Sequence, residues 1–165
     1  MMRWLLTLIC LSLIATDLHA SPQPQRIDKV LVLKSERQLQ LISHGQVIKQ
    51  YRISLGKRPE GAKRQEGDLR TPEGIYWIDW RKRSEKYNLA MHISYPNAHD
   101  AAMARASGVN PGGMIMLHGT PIDDEFPEWF FHTLDWTDGC IALKNTDMRD
   151  VWRRVPDRTL IEIRP

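Results

Sequence analysis

"VLVLKSERQLQLISHGQVIKQYRISLG", Val30 to Gly56, decides how the rest of the chain is read. Three runs rich in Val, Ile and Leu follow one another within it: VLVLK, LQLIS and VIKQYRISL. Short runs of this composition are strands, because branched and aliphatic side chains pack well on a pleated surface. His44–Gly45 separates the second run from the third and suits a tight turn, so the stretch predicts a β-meander. GIYWIDW from Gly74, LAMHIS from Leu89, GGMIMLHG from Gly112, IALKN from Ile141 and TLIEI from Thr159 read as further strands. Two helices are expected. DAAMARASG is capped by Asp100 and ended by Gly108. NTDMRDVWRRV is capped by Asn145, with Asp147 and Arg153–Arg154 suited to the two ends of its dipole. Its Met148, Val151, Trp152 and Val155 share one face at helical spacing. Strands outnumber helices, which predicts a mainly β domain with a few short peripheral helices.

Toward the N-terminus, Arg3 precedes an apolar run from Trp4 to about Ala15, and small residues end at Ala20–Ser21. That order is the layout of an export signal, and the run falls short of the roughly 20 apolar residues a stable span needs. The expected organisation is a signal peptide over 1–20, a proline-containing linker over 21–26 and one domain over 27–165. No stable membrane span is expected after cleavage. A net charge of +3, scattered along the chain, is too weak to predict a nucleic-acid partner. Residues Gly56 to Pro72 read as a charged loop, either simply solvated or turning Lys57, Arg58, Lys63, Arg64 and Arg70 toward an anionic partner.

Loss of the leader removes Cys10 and leaves Cys140 alone in an oxidising compartment. Three uses remain open for it: a reactive thiol, an intermolecular bridge, or a small buried apolar group. A thiol with a free pKa of about 8.5 is only slightly ionised near neutrality and gains from a neighbouring base. Among His92, His99, His118 and His132, His118 stands out. It ends an apolar strand and is followed by Gly119, whose carbonyl is placed to hold the imidazole in one tautomer. Gly139, before Cys140, permits a backbone turn that gathers N–H donors toward a developing oxyanion. One cysteine and scattered histidines lack zinc-ligand spacing, so neither metal nor cofactor is expected. The aromatic stretch FPEWFFHTLDW, Phe126 to Trp136, reads as a loop or broken helix covering the site, with His132 as a second candidate imidazole.

IMLHGTP followed by TDGCIALKN resembles the L,D-transpeptidase catalytic (YkuD-type) family. That family's signature is a His-Gly at a strand end, then a Ser/Thr-x-Gly-Cys turn and a downstream Asn. His118–Gly119, Thr137–Asp138–Gly139–Cys140 and Asn145 occupy those places. GDLRTPEGIY is similar to its Thr-Pro-x-Gly segment, and the Val30–Gly56 meander to its opening strands. The resemblance implies a β-sandwich-like fold and a periplasmic or cell-wall location. It also implies thiol acyl transfer on peptidoglycan stem peptides, with Cys140 as nucleophile and His118 as base. Gly119 and Gly139 then serve orientation and the oxyanion, and Thr137, Asp138 and Asn145 serve substrate binding. The acceptor is an amine of a second stem peptide or of a wall lipoprotein. Two alternatives stay open: a hydrolytic member, acting as carboxypeptidase or as amidase releasing a lipoprotein, and a non-catalytic wall-binding domain. Asp138 and Ala142 depart from the family, which often has His and Arg there.

Overall fold

A computed structural model describes residues 25–165; the expected signal peptide and most of the linker lie outside the described residues. Eight strands form one sheet: β1 (Lys29–Leu33), β2 (Gln38–Ser43), β3 (Gln46–Arg52), β4 (Gly74–Ser84), β5 (Asn88–Ile93), β6 (Met116–His118), β7 (Ile141–Ala142) and β8 (Thr159–Arg164). Their spatial order is β3-β2-β1-β8-β4-β5-β6-β7. The pairs β1–β8 and β6–β7 are parallel, and the other neighbours are antiparallel. The mainly β, sandwich-like expectation holds, with one qualification: the layers are a single sheet that curls until its edges meet. Beyond β3, Ser54 bridges Ala142 of β7 through two backbone bonds of 2.9 Å, and Gly56 bridges Thr137.

The meander forms as its sequence dictates. His44 and Gly45 both take left-handed conformations (φ 50° and 79°), and Ser43 pairs with Gln46 across them. A two-residue turn of that kind matches the twist of the strands it joins. Alternation then sorts the faces. Val30 and Val32, Tyr76 and Ile78, and Ile161 and Ile163 point inward and are almost wholly buried. The helix α2 (Asn145–Arg154) adds Met148 and Val151 to the same core. Among the described residues no helix is long and apolar enough to cross a membrane.

Both helix starts differ in detail from the sequence reading. Helix α1 runs Ala98–Ala106, three residues earlier than a cap at Asp100 would start it, because Asn97 caps it and Asp100 closes a reciprocal capping box from the third position. In α2 the cap position falls to Lys144, and the Asn145 side chain is spent elsewhere. The Glu128 carboxylate, from a distant segment, accepts the Asn145 N–H at 2.6 Å and supplies the negative group that the helix start favours. Gly112 to Ile115, read as strand, approach β6 outside the ladder, with Met114 at φ 55°.

The loop at 56–72 is anchored rather than merely solvated. Buried Lys34, directly after β1, donates to Gly61 O, Thr71 O and Glu73 at 2.8–2.9 Å. Lys63, almost fully buried, pairs with Asp68, which also accepts backbone N–H bonds from Arg64, Gln65 and Arg70. On the other side of the fold, Asp150 of α2 receives Lys49 and Tyr51 from β3 and Arg153 and Arg154 from its own helix. These donors hold its carboxyl well below the usual range although burial opposes them. Asp150→Ala leaves the buried Tyr51 hydroxyl unpartnered, and we expect a loss of about 2–3 kcal/mol, measured by urea unfolding at pH 7.

Candidate active site

Opposite the core, the sheet's outer face carries the site. Strand register lines up Lys82 of β4, Ala90 of β5, His118 of β6 and Ala142 of β7 in one cross-strand row. Residues in register share a face. Cys140 lies two positions before Ala142, so the strand period returns it to the side that carries His118. Cys140 and His118 line one cavity of about 570 Å³. Thr137 and Asp138 line it too, as do the lysines 57, 82 and 86. The structure thus brings together four residues expected at the site. Gly119, Gly139 and Asn145 do not line the cavity; they support it from behind.

His118 is 3% exposed. Its Nδ1–H donates to Gly119 O at 2.6 Å, which fixes the tautomer and leaves Nε2 as the acceptor. Tyr87 stacks on the ring at 4.4 Å between centroids, and Trp136 meets it edge-on at 5.6 Å. Burial lowers the His118 pKa to about 4, with the Gly119 bond opposing and Lys86 adding to the shift. Burial also pushes the Cys140 thiol up, against a backbone N–H of Met116 that favours the thiolate. The resting pair is therefore a neutral thiol and a neutral imidazole. Among the described residues no hydrogen bond joins them, and the thiol contacts Met114 O at 3.7 Å.

The turn before Cys140 is built by Thr137, whose hydroxyl donates to Cys140 O at 2.7 Å and accepts Gly139 N–H at 3.1 Å. Gly139 sits at φ +132°, and a Cβ there would meet Arg70 O at 2.7 Å. Its own N–H is therefore engaged, while the Cys140 N–H has no partner among the described residues. Asp138 is exposed and pairs with Lys57 at 2.9 Å across the cavity mouth.

Asn145 explains the glycine after His118. Its Oδ1 occupies the place of a Cβ at Gly119, 2.1 Å from where that atom would lie. Its Nδ2 donates to Thr120 Oγ1 at 2.8 Å, and Thr120 in turn donates to Glu128. Glu128 belongs to the segment over the cavity, where Phe130–His132 form a short 3-10 helix and Phe131 and Trp136 face the cavity. The expected cover is thus present. His132 is buried with both ring nitrogens unpartnered, and it does not line the cavity. Sequence reasoning missed Tyr87, Glu128 and the cavity lysines 82 and 86. A lone Tyr in the hairpin EKYN carries no signal, whereas Glu128 stood unnoticed inside a stretch already singled out.

The curled sheet and the turn that carries the thiol define the class of fold, that of the L,D-transpeptidase catalytic domains of cell-wall enzymes. Residues 27–163 match the L,D-transpeptidase catalytic domain family (YkuD), and the chain belongs to it. That family acts on peptidoglycan peptides. YafK of Escherichia coli (strain K12) is 28% identical over 132 residues, which cover 76% of this chain and 46% of YafK. The solved structure of Bdellovibrio bacteriovorus Bd1075 superposes with a TM-score of 0.60 at 26% identity, covering 86% of this chain and 51% of that one. The helical cell shape determining protein Pgp2 of Campylobacter jejuni shares the fold with a TM-score of 0.64 at 23% identity, over 87% of this chain and 51% of that one. The chain spans about half the length of these relatives.

Burial sets a clear expectation for the thiol. Alkylation of Cys140 by iodoacetamide rises with pH to a midpoint above the free-cysteine value of about 8.5, followed as rate against pH.

Proposed function

We propose that this chain is a cysteine acyltransferase that takes a peptidoglycan stem tetrapeptide as donor and passes it to an amine. One observation carries the reading: Cys140 and His118 line the same cavity, and the Gly119 carbonyl holds His118 with Nε2 as its proton acceptor. The Cys140 proton passes to His118 Nε2 as sulfur attacks the carbonyl before the terminal D-alanine. The Cys140 N–H, lacking another partner, is the donor placed for the oxyanion. Gly139 supplies the backbone turn, and its N–H stays with Thr137. The carbon–nitrogen bond breaks, D-alanine leaves with the proton from His118, and a thioester remains on sulfur. An acceptor amine then attacks, gives its proton to His118, and the thiol leaves reprotonated. That amine belongs to a second stem peptide or to a wall-attached lipoprotein. Water in its place makes the product a tripeptide.

Because both groups rest neutral, the proton moves during attack rather than before it. This suits a base whose lowered pKa keeps it unprotonated at working pH. In this reading Thr137 and Asp138 border the donor, and Asn145 acts through Gly119. The leader at 1–20 would deliver the domain to the periplasm or cell wall, and a contribution to cell shape follows from cross-linking there.

Purified protein incubated with tetrapeptide muropeptides is expected to yield cross-linked dimers. Tripeptides alone would identify a carboxypeptidase instead. Full activity in Cys140→Ala would sink the nucleophile assignment, and no product from the wild type would favour a binding domain. His118→Gln is expected to lower kcat by roughly 10²–10⁴. Since the folded His118 pKa is depressed, the neutral base persists as pH falls and is lost only through about pH 4, where kcat/KM should drop.

A further inference from the structure

The outer face of the sheet does not end at the cavity. One step before the Leu117–Ile141 pair, Met116 stands opposite Cys140, and Met116 is in turn in register with His92 of β5. Opposite His92 the register of β4 shifts between Ile78 and Arg81, so that Asp79 and Trp80 face a single residue. A bulge of this kind re-aims side chains. Here it lets both neighbours reach His92: Asp79 Oδ1 lies 2.7 Å from His92 Nδ1, and the Trp80 ring stacks on the imidazole at 4.6 Å with planes 10° apart. The indole is thereby fixed in orientation, yet Trp80 stays 37% exposed. Trp80 and Lys82 alternate onto the same face of β4, and Lys82 lines the cavity. Trp80 itself lies outside the cavity lining, on the same face of the sheet.

We propose that Trp80, braced by His92 and Asp79, is a sugar platform that receives a hexosamine ring of the glycan strand carrying the stem peptide. The inference rests on the stem-peptide reading above. Two features point to a sugar. A partly exposed indole, stacked on one side by His92, presents an apolar face to the C–H side of a pyranose, and the Asp79 carboxylate bonded to the same His92 is a neighbouring acceptor for hydroxyl groups. The spacing also agrees. Strands lie about 4.8 Å apart, so the three steps from β4 across β5 and β6 to the cysteine turn put the Trp80 and Cys140 backbones roughly 14 Å apart, a gap that their side chains and the sugar ring shorten. In a tetrapeptide cut before its last residue, three residues separate the sugar from the attacked carbonyl, an extended span of about 10–11 Å.

The test compares a free tetrapeptide with the same peptide on its disaccharide. Wild type is expected to turn over the sugar-linked donor with roughly three- to tenfold higher kcat/KM, the range of one aromatic contact. In Trp80→Ala that ratio should fall below twofold, and Trp80→Phe should keep part of it. An unchanged ratio in Trp80→Ala overturns the platform while leaving the acyl-transfer reading intact. A second measurement does not depend on catalysis. A β-1,4-linked N-acetylhexosamine disaccharide, titrated into isotope-labelled Cys140→Ala protein, should shift the Trp80 indole N–H resonance. No shift, or a shift that follows protein concentration instead of sugar and so reports self-association, overturns the proposal even if the wild type proves inactive on every donor.

Discussion

Everything at this site depends on how a strand of two residues is held. Ile141–Ala142 is too short to be stable alone, and it sits where the sheet's edges meet. On one side it pairs in parallel with β6; on the other, Ser54 exchanges two backbone bonds with Ala142. Closing the edges removes the unpaired backbone groups that an open sheet exposes. It also fixes the turn before Cys140, because Leu55 and Lys57 continue the pairing along Thr137. The segments then approach so closely that side chains have no room. A Cβ at Gly56 would lie 2.2 Å from Leu69 O, and one at Gly139 would strike Arg70 O. The 56–72 loop, pinned by Lys34 and Asp68, is thus the wall against which the cysteine turn is pressed.

That closeness has an electrostatic consequence. Burial removes water from His118 and from the thiol, and each then resists its charged form: the imidazole resists protonation and the thiol resists ionisation. An ion pair formed in advance would have to overcome both penalties at once. Sharing a proton only while a carbonyl carbon takes up the developing charge avoids that state. Three lysines line the cavity beside this neutral pair, and Lys57 is already partnered by Asp138 at the mouth. The Asp138 carboxylate is therefore answered by a local cation, although it still works against the thiolate.

Much of this was readable in the chain, for a reason that also marks where reading stops. The meander, the His44–Gly45 turn and the His-Gly and Thr-x-Gly-Cys segments depend on local rules, and local rules survive in sequence. Gly119 and Gly139 could be singled out, but what they make room for, Asn145 Oδ1 and Arg70 O, comes from distant segments. Asn145 looked like a helix cap because its position and type fit one. The structure gives that task to Glu128, which no spacing links to residue 145. Lys63 read as one charge of a hydrophilic loop, and Lys34 as the end of the first strand run. Only the fold supplies the carbonyls and carboxylates that make their burial tolerable.

The Glu128 network joins two features that the sequence presented separately. Glu128 accepts Asn145 N–H and the Thr120 hydroxyl, Asn145 holds Thr120, and its Oδ1 fills the space beside Gly119. Gly119 O in turn sets the tautomer of His118. The segment over the cavity is therefore tied, through one carboxylate and one amide, to the carbonyl that orients the candidate base. Moving that segment away would unseat Glu128 from the start of α2 and loosen the frame around Gly119. Phe131 and Trp136 travel on the same segment, and Trp136 also touches the His118 ring. Covering the cavity and orienting the imidazole are thus one mechanical act, so whatever occupies the cavity beneath those aromatics acts on the base as well as on the thiol.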